Sequence, residues 1–371
     1  MLRLAINNLT QNKTRLIVSV GGLGLALTLV LFFGAVFDGA MSRLTVYIDN
    51  AGADVWVSQG GVRTMHMSAS FLPASVTNEV KRVQGVKEAV PVLYATDMLQ
   101  ASGKDFISYV FGVPDNAPLG RPWGIVEGAA MPGPGEVIID HSIAASAGLK
   151  VGDEVTVLGQ QMKVAGLTSG TSSIVSSVSV VRFEDFTKAR GGGAQTISLV
   201  LVKVSPGESP AVVASRISDS VGGVTVQTRQ QFASQERKLV KDMSADIINI
   251  MNIAGFLTGL AVVALTVYIA TIARRKEYGV LKAMGVRNRL LYLVVLTQAL
   301  LSVALGLVAG VAITLLLSGL IPRFNESMVL SVSLGSLSRV AIVSVFIAGL
   351  AALLPARQLA GLEPVAIIRR G

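Results

Sequence analysis

Residues 271–290 read TIARRKEYGVLKAMGVRNRL and lie between two of the most apolar stretches of the chain. Between positions 274 and 289 the segment carries six cationic residues and a single acid, Glu277. Glu277 falls in the first turn of a predicted short helix, where the helix dipole favours an acid. A charged helix between two membrane-length runs fits either a plain anchor flank or a helix that a soluble partner binds.

The composition indicates an integral membrane protein. Of the 371 residues, 51% are hydrophobic and 15% are charged, and the mean hydropathy is +0.61. Soluble domains usually carry about 25% charged residues. About 20 apolar residues cross a bilayer core, so four apolar runs without Asp, Glu, Lys or Arg predict four membrane-spanning helices. The runs are residues 16–37, 247–273, 290–320 and 340–354.

Lys and Arg residues near the span ends predict the orientation of the chain. The flanks at the two termini and between spans two and three carry 12 Lys and Arg residues against two acids. Residues 39–243, in contrast, carry 18 residues of each sign. We expect a multi-pass protein of a bacterial inner (cytoplasmic) membrane, with both termini cytoplasmic. Because no basic patch with interleaved aromatic residues appears, we expect no nucleic-acid partner.

The predicted fold class is a mixed membrane protein with four transmembrane α-helices and a large α/β extracytoplasmic domain between helices 1 and 2. In this outer domain, residues 39–246, an α/β subdomain is interrupted by a β-rich insert. A polar helix over 229–246 is expected to run without a breaker into the second span. The predicted boundaries are a cytoplasmic amphipathic helix (1–15), transmembrane helix 1 (16–38), the outer domain with its stalk helices (39–246), transmembrane helix 2 (247–273), a cytoplasmic coupling helix (274–289), transmembrane helix 3 (290–320), a short outer loop (321–336), transmembrane helix 4 (337–355) and a cytoplasmic tail (356–371).

The sequence excludes several kinds of catalysis and transport. It contains no Cys and only two His residues, which rules out Cys–His catalysis and multi-histidine zinc sites. No G-x-x-x-x-G-K-[ST] motif is present, so the chain has no P-loop for nucleotide. The spans are expected to hold no acids, which argues against a proton-coupled carrier. We therefore expect a non-catalytic chain without a firm metal site, in which any transport depends on an external motor.

Met65, His66 and Met67 form a local cluster of soft ligands. Two thioethers and an imidazole are a ligand set suited to copper or haem iron. The alternative interpretation is two packing methionines and a surface histidine. The sequence leaves haem as a candidate substrate at this cluster, and we expect no resident cofactor in this chain.

The charged segment also carries an apolar surface. Val280, Leu281 and Met284 fall on one side of the predicted helix, and Gly279 and Gly285 bracket it. An apolar surface between charges suits insertion into a groove of a soluble partner. Anchoring in the lipid interface is the alternative that these residues leave open.

Four stretches, in order, resemble MacB/FtsX-type ABC transporter permeases. Residues 272–301, IARRKEYGVLKAMGVRNRLLYLVVLTQALL, are similar to the family core R-x-x-E-x-G-[IV]-L-[RK]-A-[LM]-G followed by a span. Residues 2–27, LRLAINNLTQNKTRLIVSVGGLGLAL, resemble the N-terminal surface helix and first span of the family. Residues 128–167 resemble the β-rich part of the outer domain, and residues 354–371, LPARQLAGLEPVAIIRRG, resemble the C-terminal tail. The resemblance covers essentially the whole chain.

The resemblance implies a homodimer in the membrane lipid that works with two copies of a separate cytoplasmic P-loop ABC ATPase, which binds ATP and Mg. Such a permease couples ATP hydrolysis to outer-domain motion and extrudes an amphipathic substrate. Some members instead activate a cell-wall hydrolase without transport. The outer domain has the shorter length of haem exporters and of permeases linked to membrane-fusion adaptors. The residues that would form the coupling helix are Glu277, Gly279, Val280, Leu281, Ala283, Met284 and Gly285.

Overall fold

The computed structural model of the chain describes residues 13–66, 68–172, 177–191, 195–273, 275–324 and 328–360. These residues form ten helices and twelve strands. The helices are α1 (Lys13–Leu44), α2 (Val46–Asn50), α3 (Ser75–Lys81), α4 (His141–Ala147), α5 (Phe183–Ala189), α6 (Pro210–Ser220), α7 (Arg229–Ala273), α8 (Arg275–Ala283), α9 (Asn288–Phe324) and α10 (Leu334–Ala360). The strands are β1 (Val55–Gln59), β2 (Leu72–Pro73), β3 (Val86–Ala101), β4 (Lys104–Val113), β5 (Ile125–Gly128), β6 (Glu136–Asp140), β7 (Glu154–Val157), β8 (Gln160–Thr168), β9 (Ser177–Arg182), β10 (Thr196–Ile197), β11 (Leu199–Val204) and β12 (Val224–Thr228).

The described residues divide into two compact units. One, the membrane unit, lies within Met1–Gly39, Ser244–Phe324 and Leu330–Gly371. The other lies within Ala40–Met243 and Asn325–Val329 and corresponds to the predicted outer domain. Most of the predicted amphipathic helix 1–15 and of the predicted tail 356–371 lies outside the described residues.

Four helices in the described part of the chain are long and apolar enough to cross a membrane, as predicted. The candidate spans are Val20–Leu44, Asn249–Ala273, Asn288–Ile321 and Leu334–Gln358. The fourth is longer than its apolar run suggests, because α10 continues through Pro355. Membrane helices tolerate an internal proline when neighbouring groups satisfy the freed backbone carbonyl.

The expectation that the spans hold no acid is wrong at one position, Asp38, which lies within the first candidate span. Its Oδ2 accepts hydrogen bonds from the hydroxyls of Ser333, at 2.9 Å, and Ser336, at 2.6 Å. The Ser333 hydroxyl also accepts a bond from the Ser336 backbone N–H and so caps the start of α10. Asp38 therefore joins α1 to α10, and the apolar pattern around it did not reveal this role.

Glycines allow α1 and α9 to approach each other closely within the membrane unit. A Cβ on Gly306 would lie 2.6 Å from Cγ of Leu23, and one on Gly310 would lie 3.2 Å from the carbonyl oxygen of Gly24. Small residues at such contacts let membrane helices pack backbone to backbone.

Replacing Gly306 with alanine is therefore expected to lower the free energy of unfolding by about 1–3 kcal/mol through overpacking. Gly319 is the matched control on the same helix, since a Cβ there meets nothing within 4 Å. Thermal unfolding in detergent measures both variants. Equal midpoints for Gly306→Ala and Gly319→Ala would contradict the close packing of α1 and α9.

The outer domain is built on one ten-stranded sheet that β3 divides into two parts. The first half of β3 pairs with β11, which continues to β1 and β12 in an antiparallel arrangement. The second half pairs with β4, which leads through β9, β6 and β8 to β5, while β7 pairs with β3 and β8. The first part, with α3 and α6, is the predicted α/β subdomain, and the second part is the predicted β-rich insert.

The insert also contains two short helices that the sequence pattern does not predict. α4 begins after Asp140, whose carboxylate accepts from the Ser142 backbone N–H at 2.9 Å, and it ends at Gly148 with φ of 71°. α5 follows strand β9, and neither was predicted. Helices of seven residues show too few turns for a clear apolar period, so their caps carry most of the signal.

Aromatic packing fills the centre of the outer domain. Tyr47 stacks on Phe111 with ring centroids 3.4 Å apart, and Trp56 stacks on Phe232 at 5.1 Å. Phe232 lies near the start of α7, which runs without a break from Arg229 to Ala273, as the sequence predicts. The early turns of α7 are therefore part of the outer-domain core.

Candidate functional site

Helix α8 carries the predicted coupling residues, and a left-handed turn ends it. Gly285 has φ of 87°, a conformation that glycine adopts without steric cost. The Gly285 N–H donates to the Lys282 carbonyl at 3.0 Å, and the Val286 N–H donates to the Leu281 carbonyl at 3.1 Å. These two bonds form a Schellman motif, which explains why the helix stops where it does.

One face of α8 is anchored in the membrane unit. Tyr278 is buried in a cluster with Val267 of α7 and with Leu291 and Val295 of α9. Leu281 is half-buried and packs on the same cluster. The anchoring residue Tyr278 was missed by the sequence analysis, although its position three residues before Leu281 matches one helical face.

The opposite face of α8 is exposed. Val280 is 52% exposed and Met284 is 68% exposed, one turn apart on the helix. The exposed positions that share this face are Lys276, Glu277, Val280, Ala283 and Met284. An apolar pair framed by a lysine and a glutamate is therefore presented on a fixed helix.

The structure separates the seven predicted residues into two groups. Glu277, Val280, Ala283 and Met284 lie together on the exposed face, and Gly285 ends the helix. Gly279 is buried, and Leu281 is half-buried, although Leu281 was predicted to share a face with Val280 and Met284. Successive helical residues are about 100° apart, so Leu281 turns toward the bundle.

The second predicted cluster lies in the outer domain and contacts an acid, Glu236, that was not predicted from the sequence. His66 Nδ1 lies 2.6 Å from Oε2 of Glu236 on α7. The same carboxylate accepts from the backbone N–H groups of Met65 and His66. His66 is 8% exposed and Glu236 is fully buried. The His66 ring also packs edge-on against Tyr109 at 4.7 Å.

The His66–Glu236 pair therefore links the loop before β2 to helix α7 by hydrogen bonds. His66 is buried, whereas the packing alternative placed it on the surface, and Met65 joins the aromatic core. Met67 lies outside the described residues. Among the described residues, no group of three or more His, Cys, Asp or Glu side chains is placed to hold a metal ion.

Two family profiles cover most of the chain. The one described as MacB-like periplasmic core domain matches residues 16–220, and the one described as FtsX-like permease C-terminal matches residues 249–364. The chain belongs to the MacB/FtsX-type ABC transporter permeases. The permease therefore has the family's order of parts, with an α/β domain between the first and second membrane helices, and the predicted fold class is confirmed.

Full-length relatives carry the same description. An uncharacterized ABC transporter permease of Mycobacterium tuberculosis is 22% identical over 323 residues, covering 87% of each chain. A second M. tuberculosis permease is 22% identical over 365 residues, covering 98% of each chain. One from Methanocaldococcus jannaschii is 20% identical over 393 residues, covering all of this permease and 97% of the relative.

Solved outer domains are also similar to part of this permease. The periplasmic region of MacB from Actinobacillus actinomycetemcomitans aligns with a TM-score of 0.38 and 13% identity, covering 50% of this permease and 93% of that chain. The extracellular domain of the transporter YknZ from Gram-positive bacteria aligns with a TM-score of 0.37 and 16% identity, covering 47% and 99%.

Proposed function

We propose that this permease is the membrane subunit of an ATP-driven exporter and that α8 is its coupling helix. A homodimer would bind two copies of a cytoplasmic P-loop ATPase, which supplies the ATP and Mg site that this sequence lacks. The hydrolysis cycle would move the outer domain and extrude an amphipathic substrate. The observation that carries the proposal is the exposed pair Val280 and Met284 on a helix anchored by Tyr278.

The exposed apolar pair and the charges beside it fit docking into a groove of a protein. A helix that inserts into a groove presents apolar residues one turn apart, as Val280 and Met284 do. Lys276 and Glu277 border this pair, so a partner surface needs charged groups around an apolar pocket. Because Tyr278 and Leu281 hold the opposite face, a partner that binds α8 acts directly on the bundle.

The charge distribution supports the orientation of the proposed complex. The flanks that include α8 and both chain ends are rich in Lys and Arg, which favours their retention in the cytoplasm. We assign the permease to the cytoplasmic membrane with both termini inside. The ATPase would then reach α8 from the cytoplasm, and the outer domain would work on the other side.

Purification from native membranes in mild detergent, followed by mass spectrometry, tests the proposal. We expect one P-loop ATPase polypeptide per permease chain. An intact permease dimer without an ATPase would contradict the coupling role and leave α8 as an interfacial anchor. A co-purifying cell-wall hydrolase, without substrate stimulation of ATP hydrolysis, would indicate mechanotransmission instead of export.

The same preparation tests the expectation for Met65, His66 and Met67. We expect its absorption spectrum to show no stoichiometric haem or copper, because the His66 ring is buried against Tyr109 and Met65 is packed in the core. A haem band that disappears in His66→Ala would make haem a substrate or ligand at this cluster.

A further inference from the structure

A cavity of about 680 Å³ lies in the outer domain where the α/β subdomain meets the β-rich insert. Small-molecule sites typically have volumes of about 300–1,000 Å³. Four parts of the chain line it: the segment before β2, the middle of β3, helix α5 with the residues after it, and the β10 region. The cavity is separate from α8, which belongs to the membrane unit.

Apolar side chains form part of the cavity wall. Leu93, Phe186 and Ile197 are buried side chains that form part of the lining. Phe186 packs closely against the backbone of Gly112: a Cβ added to Gly112 would lie 2.7 Å from the Cβ of Phe186. Phe71 also lines the cavity and is 65% exposed, which is unusual for a phenylalanine. An apolar ligand chain would cover this exposed ring.

The polar part of the described lining consists of one cation and six residues with hydroxyl groups. Arg190 is the one charged residue among the described lining residues, and its guanidinium lies 5.9 Å from the centroid of the Phe186 ring. Burial raises the pKa of the Tyr94 phenol well above its usual value, so this side chain stays neutral in the physiological range. The Tyr94 hydroxyl lies 3.2 Å from that of Thr96.

We propose that this cavity binds an amphipathic anion, with the apolar chain against Phe71, Leu93 and Phe186 and the anionic head on Arg190. A guanidinium in an otherwise uncharged site favours carboxylate, sulfate or phosphate over a neutral or cationic head group. The assignment rests on the proposed export function and gives it a substrate class and an outer-domain site.

Site-directed labelling tests the assignment on the full-length permease, because the native chain has no cysteine. Thr96→Cys places one thiol in the cavity, and Ser218→Cys places one on the exposed surface of α6 as a control. In nanodiscs of zwitterionic lipid, dodecanoate is expected to slow maleimide labelling of Thr96→Cys about tenfold more effectively than dodecanol at equal concentration. Labelling of Ser218→Cys is expected not to change.

The same labelling in an Arg190→Gln background measures the contribution of the Arg190 charge to binding. Because Arg190 is exposed, this variant is expected to fold, and dodecanoate should then protect Thr96→Cys no better than dodecanol. Arg190→Lys keeps the charge and should keep part of the preference. Equal protection by the two compounds in the native Arg190 background, or no protection by either, would overturn the proposal.

Two further measurements identify the source of the ligand and show which of the two proposals a negative result would overturn. Protection by phosphatidylglycerol added to the discs would identify the anion as a membrane lipid, and protection by dodecanoate alone would identify a free amphiphile. Either result supports the site. If protection fails while the ATPase still co-purifies, only the cavity assignment is overturned, whereas loss of the ATPase from the native complex overturns the proposed function.

Discussion

The double substitution Val280→Asp/Met284→Asp is expected to release the partner ATPase while the permease dimer stays intact in the membrane. Both side chains are more than half exposed, so aspartate there leaves the packing of the membrane unit unchanged. A docked partner would instead have to bury two unpaired carboxylates. Loss of a central interface residue can cost about 2–4 kcal/mol, so affinity should fall at least about 30-fold. Quantitative mass spectrometry of the purified complex measures this loss.

Met284→Leu is the matched control, because it keeps an apolar side chain of similar size at the same position. ATPase recovery should be close to that of the native complex in Met284→Leu and near zero in the double variant. Full recovery with the double variant would remove the coupling assignment from α8. Leu281→Asp is a weaker test, since Leu281 is half-buried and a charge there would also disturb the bundle.

Glu236→Ala is expected to lower the stability of the outer domain by about 3–5 kcal/mol, because each buried donor left without an acceptor costs about 1–3 kcal/mol. The substitution removes the acceptor of the His66 ring and of the Met65 and His66 backbone N–H groups at once. Trp56 reports the change, because it stacks on Phe232 one turn earlier in α7. Urea unfolding of the reconstituted permease, followed by tryptophan fluorescence, gives the free energy.

Lys238→Ala is the control for the helix itself, because Lys238 is exposed two residues away. It is expected to leave the urea midpoint close to that of the native permease. In a cycle with His66→Ala, the effects of the two single substitutions should not add, since each removes the same contact. A Glu236→Ala urea midpoint equal to that of Lys238→Ala would show that the hydrogen bonds between the loop and α7 contribute nothing to the stability of the outer domain.

Sequence patterns predicted the parts of the fold that depend on long apolar runs and uninterrupted periods. The four spans and the continuity of α7 follow from such signals. α4 and α5 have seven residues each, too few for a period to stand out. Asp38 was missed because its partners, Ser333 and Ser336, lie nearly 300 positions away in sequence.

At both candidate sites, the local sequence pattern predicted the residues of the motif but not the buried residues that hold them in place. Motif and helical spacing singled out Val280 and Met284, which are exposed, but not Tyr278, which anchors their helix. The Met65–Met67 cluster was visible as residue types, whereas Glu236, 170 positions from His66, was not. Its signal is faint: Glu236 follows buried Phe232 and Ala233 at helical spacing, where a further apolar residue would be expected.

The turn at Gly285 has a mechanical consequence. Only four residues separate the end of α8 from the start of α9, and Schellman bonds fix the second and third of them, Gly285 and Val286. The Leu290 N–H, which donates to the Arg287 carbonyl at 2.9 Å, extends the hydrogen-bonded path into α9. The connection contains no extended loop. A force applied at Met284 is therefore transmitted to the start of the 37-residue helix α9 without first straightening a loop.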